Sequence, residues 1–175
     1  MLLATSMSHA AEPETGSWSE PVEGVRGRII VAEDPKVNGT IMLAVYLELQ
    51  NVSDVANPIE IYFDPDRTVQ CQLLDANNKP AAISGLPASI MQPPPFWLSL
   101  PYDSSMRFRV SVSGYGVPKD AGRLIPMTCG DWIIKADDHA VRSLEVTLNV
   151  SPPKATSGHR AWRGTIKMPG VKIPH

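Results

Sequence analysis

The residues of this chain whose types could do chemistry are few, and the most suggestive of them form the cluster Asp137-Asp138-His139. A carboxylate can orient an imidazole for proton transfer. Adjacent residues on a turn rarely do this, so we interpret the cluster as a solvated turn. The chain contains no serine-nucleophile elbow, no zinc-protease motif and no phosphate-cradling glycine loop. We therefore expect no catalytic residues, no cofactor and no enzymatic activity. The remaining histidines fall in expected loops or tails: His9, His159 and His175.

Three aspartates in neighbouring loops, Asp54, Asp64 and Asp66, are the most suggestive metal ligands. Calcium takes several oxygen ligands, and alternate aspartates can supply them. The residues that follow do not continue an EF-hand-like loop, so a simple turn is the favoured interpretation. Zinc is disfavoured as well, because neither cysteine has a second cysteine or a histidine at ligand spacing. We expect no metal site.

Four tryptophans could contribute to ligand binding, because sugars stack on exposed aromatic faces. Trp162 alternates in phase with Ile166 and Met168, and Trp132 is in phase with a neighbouring isoleucine, which favours the core for both. Trp97 and Tyr102 flank an irregular segment and are the best candidates for exposed ligand-binding residues. Packing is the more common role even for residues in such a position.

Cys71 and Cys129 are the only cysteines. Cys71 is in phase with Val69 and Leu73, so its side chain is expected to point inward. The two residues could form one disulfide, to which chain-entropy theory assigns roughly 4 kcal/mol for a loop of this length. They could equally be two buried thiols that act as small hydrophobic side chains. Both alternatives remain open from the sequence.

The strand expected at residues 41–50 is the one around which the rest is organised. Its apolar residues recur at every second position, which is typical of a strand with one face on a core. The opposite face is only half polar, so we expect a central strand. Asn51, Ser53 and Asp54 then favour a turn. The apolar face consists of Leu43, Val45, Leu47 and Leu49.

The same alternation predicts about nine or ten short strands, no long helix and no internal repeat. Strands with one polar face, joined by short turns, indicate antiparallel sheets packed in two layers. An all-β fold, a two-layer antiparallel β-sandwich, is the prediction, and a closed barrel is the alternative. Residues 84–95 are rich in proline and are expected to form an extended crossover. The other strands are expected at 25–31, 58–63, 69–73, 96–100, 106–113, 124–127, 132–135, 144–150 and 162–168.

The length of 175 residues suits a single domain, which we place at residues 17–175. Residues 1–16 resemble the end of a secretory signal or form a disordered N-terminus. We therefore expect a secreted or periplasmic location. The net charge is −2 with acids and bases interspersed, so no nucleic-acid partner is expected. No apolar run approaches the roughly 18 residues of a transmembrane helix.

Residues 18–28, the strand end at 45–54 and the turn at 73–80 together resemble immunoglobulin-like domains of uncharacterised bacterial exported proteins. The last strand, 162–169, is similar to the closing strand of such domains. The resemblance implies an immunoglobulin-like sandwich and an accessory or adhesion-like role. The antibody-type pattern is absent, because Met127 rather than tyrosine precedes Cys129 by two residues, and Trp97 does not follow Cys71 closely.

These observations favour a non-enzymatic exported module with a structural or protein-interaction role in the cell envelope. Such a module should show an exposed edge strand or an apolar patch where a partner binds. The alternative is a carbohydrate-binding module that uses Trp97 and Tyr102 and requires an exposed aromatic row. A hydrolase or metalloenzyme assembled from distant residues is the weakest hypothesis and requires a deep pocket with His139 or several acids.

Overall fold

The computed structural model describes residues 12–54, 56–84, 94–112, 117–152 and 161–174. Within them the fold is all-β, as predicted, with eleven strands rather than nine or ten. A helical turn, α1 (Pro65–Thr68), interrupts the strands. The strands are β1 (Glu14–Thr15), β2 (Val25–Val37), β3 (Thr40–Asn51), β4 (Ile59–Phe63), β5 (Val69–Leu74), β6 (Phe96–Leu100), β7 (Ser105–Arg109), β8 (Arg123–Met127), β9 (Gly130–Ile134), β10 (Ser143–Val150) and β11 (Gly164–Lys172).

The largest sheet is built around β3, which confirms the predicted central strand. β2 pairs with β3 along almost its whole length, and β1 adds to the far side of β2. Two strands share the other edge of β3. β7 pairs antiparallel with Tyr46–Gln50, and β8 pairs parallel with Ile41 and Met42 before β9 completes the sheet. The parallel pair is a correction to the wholly antiparallel prediction.

The hairpin between β2 and β3 follows from its turn residues. Asn38 and Gly39 have φ angles of 49° and 78°, as a two-residue hairpin turn requires at both central positions. β2 continues to Val37, beyond the strand expected at 25–31, so the turn is confined to the asparagine and glycine. The pairing is irregular between Asp34 and Val37. Pro35 lies inside this irregularity, where its missing N–H leaves no gap in the ladder.

Two smaller sheets complete the fold, one with the order β11-β10-β5 and one with β4 and β6. Apolar side chains from all three sheets form one core cluster. Leu47, Leu148 and Ile61 come from the three sheets in turn, and each is at most 1% exposed. Trp132 and Trp162 are buried in this core, as their phase predicted. The arrangement is thus several sheets around a shared core.

A disulfide joins Cys71 to Cys129, so the disulfide alternative is confirmed and the free-thiol alternative is wrong. Cys71 lies in β5 of the three-stranded sheet, and Cys129 lies in the turn between β8 and β9. The two Cα atoms are 6.5 Å apart across 58 positions of sequence. The bond therefore ties two sheets together through distant parts of the chain.

The folded part begins earlier than predicted. Glu14 and Thr15 lie inside the segment 1–16 that was assigned to a signal remnant or a disordered N-terminus, yet they pair with β2. Residues 1–11 of that segment lie outside the described residues, as do residues 85–93 of the proline-rich crossover. Within the described ranges, no helix combines the length and the apolar character that crossing a bilayer would need.

Candidate functional site

The two sequence-predicted ligand-binding residues, Trp97 and Tyr102, lie in different local settings. Trp97 is near the start of β6, where it is half-buried and packs edge-on against Tyr62 of β4 with ring centroids 5.2 Å apart. Tyr102 lies beyond the end of β6, in a turn, and is 50% exposed. A shallow cleft of about 350 Å³ adjoins Tyr62, and its lining is otherwise polar: Asp64, Arg67, Thr68, Asn149 and Ser151.

The cluster at Asp137-Asp138-His139 begins in a turn, with Asp137 and His139 exposed and Asp138 half-buried. The Asp138 carboxylate accepts hydrogen bonds from the Arg142 guanidinium and from the Ala140 N–H rather than from the imidazole. The bond from Arg142, followed by that from Ala140, holds the pKa of Asp138 below its ordinary value of 3.8. No group of three or more metal-ligating side chains occurs in the part of the chain that is described.

A set of eight side chains on the outer face of the largest sheet, six of them charged, was not predicted as a group. These residues face away from the core, and the sheet arranges them in rows across β2, β3 and β7. One row runs Arg26–Gln50–Ser105, and the next runs Arg28–Glu48–Arg107. We call the set the arginine face, and it consists of Trp18, Arg26, Arg28, Asp34, Glu48, Gln50, Arg107 and Arg109.

Glu48 is the centre of the second row. Its Oε2 lies 2.7 Å from the Arg28 guanidinium and 3.6 Å from that of Arg107. The carboxylate side chain is only 11% exposed, whereas that of Arg107 is 51% exposed. Because the shorter contact goes to Arg28, Arg107 is the less neutralised partner. One carboxylate thus serves two guanidiniums, which leaves this row with one positive charge.

Trp18 covers the part of the arginine face that β2 contributes. The Arg26 and Arg28 guanidiniums lie 4.9 Å and 4.5 Å from the centre of its ring, within the range of a cation–π interaction. Arg26 also donates a hydrogen bond from Nε to the neutral Gln50 side chain at 2.9 Å. No carboxylate is paired with Arg26 among the described residues. Its positive charge therefore adds to that of the second row.

Arg109 is anchored more firmly than Arg107. It forms an ion pair with Asp34 at 2.7 Å and donates from Nε to the hydroxyl and the carbonyl oxygen of Ser111. Among the described residues, the four arginines of the face are thus opposed by two carboxylates, which leaves two positive charges on the face. The chain as a whole has a net charge of −2. The arginine face is therefore a local cationic region on an acidic protein.

The edge of the sheet next to this face is β7. Within the described residues, β7 pairs with β3 alone. The Asn51 N–H bonds to the Ser104 carbonyl, and the Val110 N–H bonds to the Val45 carbonyl. Backbone direction alternates along an antiparallel strand, so Met106 and Phe108 face β3 in between. The N–H and C=O groups of Ser105, Arg107 and Arg109 point away from the sheet.

Two other sheet edges are covered by the chain itself. The Ser84 N–H bonds to the Asp131 carbonyl, and the Ser84 hydroxyl accepts from the Ile133 N–H, so β9 is capped. The Ala81 N–H bonds to the Leu73 carbonyl and covers the end of β5. On β11, Pro169 removes a donor from the strand. The edge of β7 carries none of these devices in the described residues.

The sequence did contain a signal for the arginine face. Arg26 and Arg28 alternate with apolar residues, and Arg107 and Arg109 do the same in another strand. Each pair must therefore point to solvent if its strand is half-buried. What the pattern did not give is that both strands flank β3. The expectation of merely interspersed charges is corrected here by the pairing of the strands.

A scan against protein-family models, a search of curated proteins and a search of solved structures each found no match.

Proposed function

We propose that this chain is an exported, non-enzymatic interaction module of the cell envelope that binds a polypeptide partner by strand addition to β7. The observation that carries the proposal is the edge of β7, where Ser105, Arg107 and Arg109 direct backbone donors and acceptors outward. A partner in an extended conformation gains main-chain hydrogen bonds at such an edge, and its side chains supply specificity. This is the feature that the sequence-based hypothesis required.

Export and an immunoglobulin-like sandwich belong to the same proposal. The disulfide supports export, because such bonds persist in oxidising compartments and are rare in the cytosol. It also supports a two-layer sandwich, because it links β5 of one sheet to the β8–β9 turn of another, and side chains of both sheets share one core. A secreted or periplasmic location follows from the first point.

The arginines at this edge also have a simpler role, which the proposal must accommodate. Charged side chains on an edge strand deter pairing with another copy of the same protein. Arg107 would face an arginine in a β7–β7 pair, and like charges opposite each other destabilise a ladder. This protection against self-association does not close the edge to other chains. It restricts the edge to partners of different charge.

A library of random twelve-residue peptides displayed on phage provides the test. Peptides selected on the full chain should slow hydrogen exchange at the amides of Ser105, Arg107 and Arg109, whose N–H groups point outward in the free protein. Arg107→Pro should abolish this binding, because proline removes an outward donor while the ladder to β3 keeps its hydrogen bonds. Arg107→Ala is the matched control that keeps the N–H. Failure to select any peptide, or protection elsewhere that Arg107→Pro leaves intact, contradicts the proposal.

Carbohydrate binding remains the second candidate function, and one observation favours it. Trp97 and Tyr62 form an aromatic pair on the outward face of β4 and β6, next to the polar cleft with Asp64 and Asn149. Insoluble polysaccharides should then retain the protein, and Trp97→Ala should release it while Tyr102→Ala should not. Retention that neither substitution changes would remove this candidate.

A further inference from the structure

We infer that the partner strand alternates acidic and apolar residues and places an acidic residue opposite Arg107. The inference rests on the proposed strand addition at β7 and specifies the chemistry of the partner. It follows from three properties of this edge: the direction of its side chains, the apolar surface beneath it and the charge above it.

The directions of the β7 side chains require the partner strand to alternate two kinds of residue. Met106 and Phe108 pack against the core, so Ser105, Arg107 and Arg109 point to the outer face. Residues that pair directly across a sheet place their side chains on the same face. A partner residue opposite Arg107 therefore lies on the arginine face, and its two neighbours point toward the core side. The two faces of the partner strand meet different surroundings.

The core side of the edge is apolar. Met106 and Phe108 are half-buried, and the Phe108 ring packs edge-on against Phe63 with centroids 4.9 Å apart. Phe63 also contacts Phe96, which remains 37% exposed. Apolar side chains from an added strand would extend this cluster and remove its exposed surface from water. The partner positions that flank the acidic residue are therefore apolar.

The outer side of the edge selects for negative charge. Arg107 is 51% exposed and shares Glu48 with Arg28, so its charge is only partly balanced. Arg26 adds a second unbalanced charge on the same face. An acidic residue opposite Arg107 would complete the row Arg28–Glu48–Arg107 with alternating signs. A second copy of β7 centred on Arg107 would instead place arginine against arginine, which disfavours self-pairing at this edge.

A fluorescein-labelled peptide of alternating valine and glutamate tests the inference by fluorescence polarisation with the full chain. A second peptide carries lysine in place of glutamate. The glutamate peptide should bind, and Arg107→Glu should weaken it about tenfold at low salt, because an attractive cross-strand pair is lost and a repulsive one is gained. The lysine peptide should show the opposite change. Arg67→Glu, which alters an arginine that is 88% exposed at another site, is the control and should change neither affinity.

The outcomes separate this inference from the proposed function. If library peptides protect β7 amides but carry no acidic residues, or if Arg107→Glu leaves both designed peptides unaffected, the inference fails and strand addition stands. If a single-stranded oligonucleotide binds as tightly as the glutamate peptide and Arg107→Pro does not disturb it, the face is a general polyanion site and both fail. Binding of the glutamate peptide with the expected charge reversal, together with protected β7 amides, supports both.

Discussion

The disulfide between Cys71 and Cys129 should account for a large part of the stability of this protein. We predict that the double substitution Cys71→Ser and Cys129→Ser lowers the free energy of unfolding by about 4 kcal/mol. The bond closes a loop over 58 positions. In the chain-entropy model a loop of this size restricts the unfolded chain by roughly 14 cal/mol/K, which gives the stated value near 25 °C.

The structure limits the side effects of this substitution. Both cysteines are only partly buried, so the serine hydroxyls can reach water and little desolvation cost is added. For a domain of this length, 1 kcal/mol corresponds to roughly 2–4 °C in Tm, so the variant should melt about 8–16 °C lower. A reducing agent should lower the stability of the native protein to the same extent, and it should not change the stability of the variant.

Urea unfolding followed by tryptophan fluorescence is a suitable assay, because Trp132 and Trp162 are buried and report loss of the core. The double alanine variant is the control for any specific effect of serine. A loss below about 1 kcal/mol, in the variant or on reduction, would refute the entropic argument, because a long-loop cross-link cannot then be constraining the unfolded chain.

Three further predictions concern single residues. Glu48→Gln should cost about 2 kcal/mol in urea unfolding, because it leaves the guanidiniums beside it without their shared charge; an unchanged midpoint would contradict this. Gly122→Ala should cost roughly 2 kcal/mol because φ is +89° and a Cβ would collide with the backbone of residues 134–136, whereas Gly170→Ala, which meets nothing closer than 3.5 Å, should be nearly neutral by thermal melting. Burial raises the pKa of Asp131 above 3.8 despite an opposing backbone hydrogen bond. The folded state therefore binds this proton more tightly than the unfolded chain, so protonated Asp131 contributes fully to stability below the ordinary pKa, and this contribution is lost as pH rises through the folded pKa. Asp131→Asn should remove this part of the pH dependence of the free energy of unfolding, measured by urea titration at several pH values. An identical pH profile would contradict the prediction.

Alternation of apolar residues predicted most of the strands because burial of one face imposes it directly. The central position of β3 followed from its second face, where Met42 and Ala44 are buried as well. The hairpin turn at Asn38 followed from local backbone preference. The same pattern does not identify which strands are neighbours, so the division into three sheets and the parallel pairing of β8 with β3 could not be read from it.

The candidate site was less predictable than the fold. Arg26 and Arg107 are 81 positions apart in the sequence, and only the pairing of β2 and β7 with β3 places them on one face. Trp97 is a candidate in the sequence because it flanks an irregular segment. That irregularity does not determine exposure, since β6 begins at Phe96 and Trp97 packs against Tyr62. Side-chain clusters that depend on strand order need the structure.

The same geometry explains why Arg107 rather than Arg109 carries the proposed interaction. β8 pairs with the start of β3, so the chain turns away from β3 beyond the end of β7. At this junction the Ser111 hydroxyl accepts a hydrogen bond from the Val45 N–H. Arg109 is held by Ser111 and by Asp34, which fixes the end of β7 and neutralises its charge.

Arg107 lies two residues before Arg109, farther from that junction, and shares the Glu48 carboxylate with Arg28. Arg109 is therefore a positioning residue, and its replacement should loosen the end of β7. Arg107 keeps both an exposed charge and an outward backbone, which are the two properties that a partner strand can use.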